Sequence, residues 1–218
     1  EVQLVAFPHV ITACYLVGGA LVMAIGLHKL RRLTAKGGPD ADRRMYRHAA
    51  RLGAVVVLVS GLGVAISGDV QGKVMTDVQP MKMAAAEALY DTPPEGECAP
   101  FSVLTIAGLG GENPKHVLEV PCLLSYLGTG SWDGKVQGMV DLENEYRASF
   151  GDDELTQSDT YIPPIAMTYW NFRLMMATGF FAMAAGGWAL WATRKDRVPM
   201  QRWVQGLIVL TPVATVLG

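Results

Sequence analysis

The sequence predicts an all-α membrane protein: a transmembrane helix bundle of three full spans plus a truncated fourth, with one large extracytoplasmic loop segment. Three observations lead there. Half of the 218 residues are apolar while only 17% are charged, against roughly 25% in an average soluble domain. The charges are also segregated, with Glu1 alone in residues 1–27, none in 52–68 and only Arg173 in 164–193. Sixteen of the twenty acidic side chains fall in residues 69–163. The mean hydropathy of +0.25 therefore averages lipid-like stretches with one long polar stretch.

A bilayer core about 30 Å thick needs roughly 20 mostly apolar helical residues. Residues 1–27 supply the first span, with the apolar run Val5–Leu27 broken only by Pro8 and His9. Residues 28–48 read as a basic cytoplasmic loop. Residues 49–68 form the second span, with Arg51 at an edge where its stem can snorkel. Ser60, Gly61, Gly63 and Ala65 in it suit close helix packing. The Gly61-Leu62-Gly63 run lacks the strand–turn–helix setting of a dinucleotide fingerprint. Residues 69–163 are the loop segment and residues 164–193 the third span. A short loop, 194–202, leads to 203–218, sixteen apolar residues that fall short of a full span.

Within the loop segment, Asp69–Lys73 reads as a turn-like exit, Gln79–Tyr90 as a helix, and Phe101–Ile106 as a β-prone run. A polar helix is expected over Val136–Phe150 and an acidic linker over Asp152–Thr160. So few large apolar residues predict a segment that depends on the membrane part for its stability. Orientation comes from the short loops. Residues 28–51 carry eight basic against two acidic side chains, and residues 194–202 four against one. Both loops are expected in the cytoplasm, which places 69–163 outside.

Composition also excludes classes. No basic face with interleaved aromatics supports nucleic-acid binding, and three cysteines are too few for a disulfide framework in a chain this long. Cys98 and Cys122 share the oxidising side, where a bond between them could persist. Cys14 is expected to pack inside a span. The opening Glu1-Val2-Gln3 has neither an initiator Met nor a basic n-region, so the chain is expected to begin inside a longer protein.

Three groups in the spans are candidates for chemistry, because polar groups there are costly: His9, Arg173 and, as a soft ligand, Met175. His9 and Met175 lie toward the outer ends of two inward-running helices, and an imidazole with a thioether is an axial pair that haem iron uses. The spacing equally allows His9 and Met175 to be packing residues and Arg173 to snorkel. In the loop segment, Lys82 and Glu87 sit about 140° apart around a helix, so they are either two solvated charges or an oxygen-holding ammonium and a proton-accepting carboxylate.

The run Ser67-Gly68-Asp69-Val70-Gln71-Gly72-Lys73 followed by Asp77-Val78-Gln79-Pro80-Met81-Lys82-Met83-Ala84-Ala85-Ala86-Glu87-Ala88 resembles the start of the quinol-binding loop of cytochrome bd oxidase subunit I. Phe7-Pro8-His9-Val10 resembles that family's histidine-bearing helix, and Tyr169-Trp170-Asn171-Phe172-Arg173-Leu174-Met175 its arginine-and-methionine helix. The resemblance implies that His9 and Met175 are the axial ligands of the low-spin haem b. Arg173 would lie beside that haem, and Lys82 and Glu87 would bind and deprotonate quinol. It implies a quinol:oxygen oxidoreductase of the bacterial cell membrane, working with a second oxidase subunit, accessory subunits and membrane lipid. The quinol would be menaquinol or ubiquinol; the short loop, most similar to actinobacterial members, favours menaquinol. High-spin haem b and haem d are expected in the complete subunit, but the family's ligands for them have no counterpart in this chain, which matches about the middle half of the subunit. The competing expectations are a non-enzymatic polytopic membrane protein with a ligand- or partner-binding outer loop, and a b-type cytochrome of another family that binds no quinol.

Overall fold

The computed structural model describes residues 2–106, 114–151 and 160–218. The expected linker at Asp152–Thr160 and the glycines at 108, 110 and 111 lie almost wholly outside these residues. The chain divides into two compact units, Gln3–Gly68 with Leu174–Gly218, and Asp69–Arg173.

The first unit is built from helices. α1 (Val2–Ala35) and α2 (Asp40–Val78) form an antiparallel pair, α6 (Ile165–Ala192) supplies a third rod, and α7 (Trp203–Leu217) a shorter fourth. α1, α2 and α6 are each long and apolar enough to cross a membrane. Small residues let α1 and α2 approach closely. A Cβ on Gly26 would come within 2.6 Å of the Ala50 backbone nitrogen, and one on Gly53 would collide with Met23. Met23, Ala24, Leu27, Ala50, Ala54, Ala185, Ala189, Val204 and Ile208 form the core around this contact. Gly61 meets Met183 and Gly63 meets Thr12, as the small-residue pattern predicts. Ala65, expected in that packing set, is instead exposed, because it falls on the outer side of the helix.

Several expectations change. Residues 28–48 are not a loop: α1 continues to Ala35 and α2 starts at Asp40, leaving a turn of four residues. Helical propensity and the absence of a breaker before Gly37-Gly38-Pro39 carry the helices that far. Arg51 is half-buried at the edge of the second span. Its Nη1 donates to the Leu190 carbonyl at 3.1 Å, one of the carbonyls left without a helical partner at the end of α6. Cys14 is exposed rather than packed, since it lies on the α1 face opposite the core.

The second unit begins inside α2. Asp69–Lys73 is not a turn: the helix runs on to Val78. Lys73 pairs with Asp69 one turn back at 2.7 Å, the Thr76 hydroxyl donates to the Gly72 carbonyl, and the first proline is Pro80. That proline opens α3 (Pro80–Glu87), where its missing N–H costs nothing. Ala88, in the left-handed region at φ 52°, ends the helix. A two-stranded antiparallel hairpin follows, β1 (Phe101–Ile106) and β2 (Lys115–Val120). Next come α4 (Leu123–Thr129) and α5 (Met139–Phe150). β2 and α4 have no sequence-level expectation, because six exposed residues and a seven-residue helix leave little periodic signal.

The second unit has a core of its own. Met81, Ala84, Ala85, Leu89, Ala99, Leu124, Val136, Met139, Leu142 and Ile165 build it, flanked by Tyr90, Phe101, Tyr146, Tyr161 and Ile162. Alanines at close quarters do what a few large side chains would do elsewhere. Cys98 and Cys122 are joined in a disulfide with Cα atoms 4.8 Å apart.

Candidate functional site

α3 decides which of its charges is buried. Met81, Ala84 and Ala85 recur at three- and four-residue spacing and face the core of the second unit. Lys82 falls on the outer face and is exposed. Glu87, five residues on, is 4% exposed. The structure therefore does not bring Lys82 and Glu87 together.

It brings Glu87 to Arg173 instead. Arg173 Nη2 donates to Glu87 Oε2 at 2.6 Å, across 86 residues of sequence. Arg173 is 8% exposed and also donates from Nε and Nη2 to the Ser102 carbonyl, at 3.0 and 2.6 Å. That carbonyl is available because the β1–β2 ladder slips between Ser102 and Leu104, and a bulge turns backbone groups out of the ladder. Tyr169 Oη donates to the same carbonyl at 3.0 Å and accepts the Thr105 N–H at 2.8 Å. The guanidinium lies over the rings of Phe101 and Tyr169, 4.5 and 4.6 Å from their centroids, which lowers the cost of its burial.

Electrostatics make this pair chemically useful. Burial pushes the Glu87 carboxyl up to about 7, against the opposing pull of the Arg173 charge and hydrogen bond. A group poised there can change protonation at neutral pH. Arg173 Nη1 is buried and has no hydrogen-bond partner among the described residues. An orphaned charged donor is costly, and a water or a ligand oxygen would satisfy it.

His9 and Met175 belong to the first unit. His9 is half-buried on α1, with Nδ1 3.2 Å from Ser67 Oγ on α2. Met175, two residues past Arg173 on α6, is 36% exposed. Two shallow cavities, of about 290 and 310 Å³, lie among basic side chains of the first unit, and neither is lined by His9, Met175, Lys82, Glu87 or Arg173. Sequence reasoning missed Ser102, Tyr169 and Ser67. Tyr169 and Ser67 each stood inside a run that resembles the family, without a role of their own, and a backbone carbonyl leaves no signal.

Three helices long and apolar enough to cross a membrane define a polytopic membrane protein, and its second unit holds a buried carboxylate–guanidinium pair. The comparisons are more specific. The family model described as cytochrome bd terminal oxidase subunit I matches residues 1–218, and the chain belongs to that family. Cytochrome bd ubiquinol oxidase subunit 1 of Bacillus subtilis (strain 168) is 31% identical over 205 residues, 94% of this chain and 41% of that protein. Cytochrome bd-II ubiquinol oxidase subunit 1 of Escherichia coli (strain K12) is 24% identical, over 93% of this chain and 48% of that protein. The structure of bd oxidase from Geobacillus thermodenitrificans shares the fold, with a TM-score of 0.71 at 23% identity over 96% of this chain and 42% of that one. The chain thus spans less than half the length of these relatives.

Proposed function

We propose that this chain is the quinol-oxidising, low-spin-haem-carrying part of a bd-type quinol:oxygen oxidoreductase in the bacterial plasma membrane. Residues 69–163 lie on the outer side, and a second oxidase subunit completes the complex. The observation that carries the proposal is the buried Glu87–Arg173 pair at 2.6 Å, whose carboxyl titrates near neutrality.

Oxidation of a quinol releases two protons with two electrons, so the site needs a base that is deprotonated at working pH yet basic enough to take a proton. Glu87 meets both conditions. Arg173 holds one carboxylate oxygen in place and keeps Nη1–H free for the substrate's oxygen. Lys82, which the fold does not bring to Glu87, would hold the quinol from the exposed face of the same helix. Menaquinol is the substrate the loop favours, with ubiquinol the other candidate.

The donor set also fits a low-spin haem b. His9 offers an imidazole anchored through one nitrogen, and Met175 an accessible thioether, which are the ligand types such a haem takes. A haem held there would accept the electrons one at a time and pass them on. High-spin haem b and haem d belong to the remainder of the full subunit.

The test uses the full-length oxidase carrying Glu87→Gln or Lys82→Ala. Quinol oxidation should fall by about 10²–10⁴-fold in Glu87→Gln, the usual worth of a general base, and collapse as well in Lys82→Ala. The reduced-minus-oxidised haem spectrum should survive in both. Wild-type turnover in Glu87→Gln would end the proposal and favour a loop that binds a ligand or partner without chemistry.

A further inference from the structure

We propose that Ser67 is the positioning residue for His9, fixing the tautomer and the plane of its imidazole so that Nε2 presents a lone pair. The inference rests on the reading of His9 as a haem ligand and goes beyond it.

The number of hydrogens on Ser67 and His9 decides which ring nitrogen is protonated. Ser67 Oγ has one proton to donate, and it points to the Gly63 carbonyl at 2.6 Å, one helical turn back, with the Val64 carbonyl farther off at 3.3 Å. With that proton committed, Ser67 Oγ can only accept from His9 Nδ1 at 3.2 Å. The ring proton therefore sits on Nδ1. A neutral imidazole carries one N–H, so Nε2 is unprotonated, the form in which a histidine binds a metal. Ligating histidines are commonly held through their other nitrogen in this way.

The next residue fixes the ring from the side. A Cβ on Gly68 would lie 3.2 Å from His9 Cε1 and 3.4 Å from Nδ1, tighter than ordinary packing. Ser67 and Gly68 thus form one cradle on α2, the hydroxyl holding the ring edge and the bare Cα leaving room for it.

The experiment uses the full-length subunit in membranes, with haem spectra normalised to subunit amount. His9→Ala tests the underlying reading and should abolish the low-spin signal. Ser67→Ala should weaken haem retention by roughly 10-fold, the lower end of the usual cost of removing a ligating histidine's hydrogen-bond partner, and shift the midpoint potential of what remains. The isosteric pair Ser67→Thr and Ser67→Val separates hydroxyl from shape: Thr should keep the wild-type spectrum and potential, and Val should behave like Ala. If His9→Ala loses the signal while Ser67→Ala and Ser67→Val match wild type in haem content and potential, the positioning role is wrong and the ligand assignment stands. If His9→Ala leaves the signal unchanged, both fail.

Discussion

Arg173 is a charge that could not sit where it does without Glu87, Ser102 and the rings of Phe101 and Tyr169. Removing one member of a buried ion pair leaves the other uncompensated, and the cost is commonly about 3–5 kcal/mol. Arg173→Ala should therefore destabilise the second unit by that order, read as a lowered unfolding midpoint in detergent. Arg173→Met with Glu87→Leu should recover most of the loss and no quinol turnover. Glu87 also sets a pH dependence. Its carboxyl is raised from 4.5 to about 7, so the proton-accepting form grows as pH rises through 7. Quinol oxidation should increase over that window, and a pH profile of the Glu87→Gln enzyme should lose this limb. The stability sign is opposite: the folded state holds the proton more tightly than the unfolded one, so this group's contribution is full below 4.5 and is lost as pH rises through 7. At this scale the sequence could name Glu87, Arg173, His9 and Met175 through local motifs. It could not show that Arg173 meets Glu87, because nothing local links residues 86 positions apart.

Among the elements, α2 departs furthest from expectation. Its apolar stretch ends at Gly68, yet the helix continues through polar residues to Val78. Hydropathy marks where a helix leaves an apolar medium, not where its hydrogen bonds stop; Pro80 does the latter. Gly72 sits inside this extension with open space around its Cα. Gly72→Ala should stabilise by about 0.5–1 kcal/mol from helix propensity alone, raising the unfolding midpoint; a lowered midpoint would count against the continuous helix. The Cys98–Cys122 bond ties the start of β1 to the start of α4 across 24 residues. Reduction should cost the second unit about 3 kcal/mol on the chain-entropy account, and peptide masses with and without reductant would verify the link. The spacing of two cysteines left that bond open, because pairing depends on which backbone segments are brought side by side.

For the whole molecule, the strongest prediction concerns orientation. Basic residues 28–51 and 194–202 should face the cytoplasm, and in the structure Arg47 joins the two stretches by pairing with the Asp196 carboxylate and donating to its carbonyl at 2.7 Å. In intact cells an impermeant maleimide should label Ser131→Cys but not Lys36→Cys in a Cys14→Ser background; the reverse pattern would invert the topology. The sequence by itself determined the membrane class, the three spans and the charge asymmetry, since hydrophobic length and net charge are properties of contiguous stretches. Tertiary structure decided the rest: that Lys82 is exposed and Glu87 buried, that Arg173 answers Glu87, that Ser67 holds His9, and that an alanine-rich loop segment owns a core. Each is a meeting of residues from different elements, fixed by close packing and by the penalty on buried groups without partners, and no window along the chain contains both sides of such a contact.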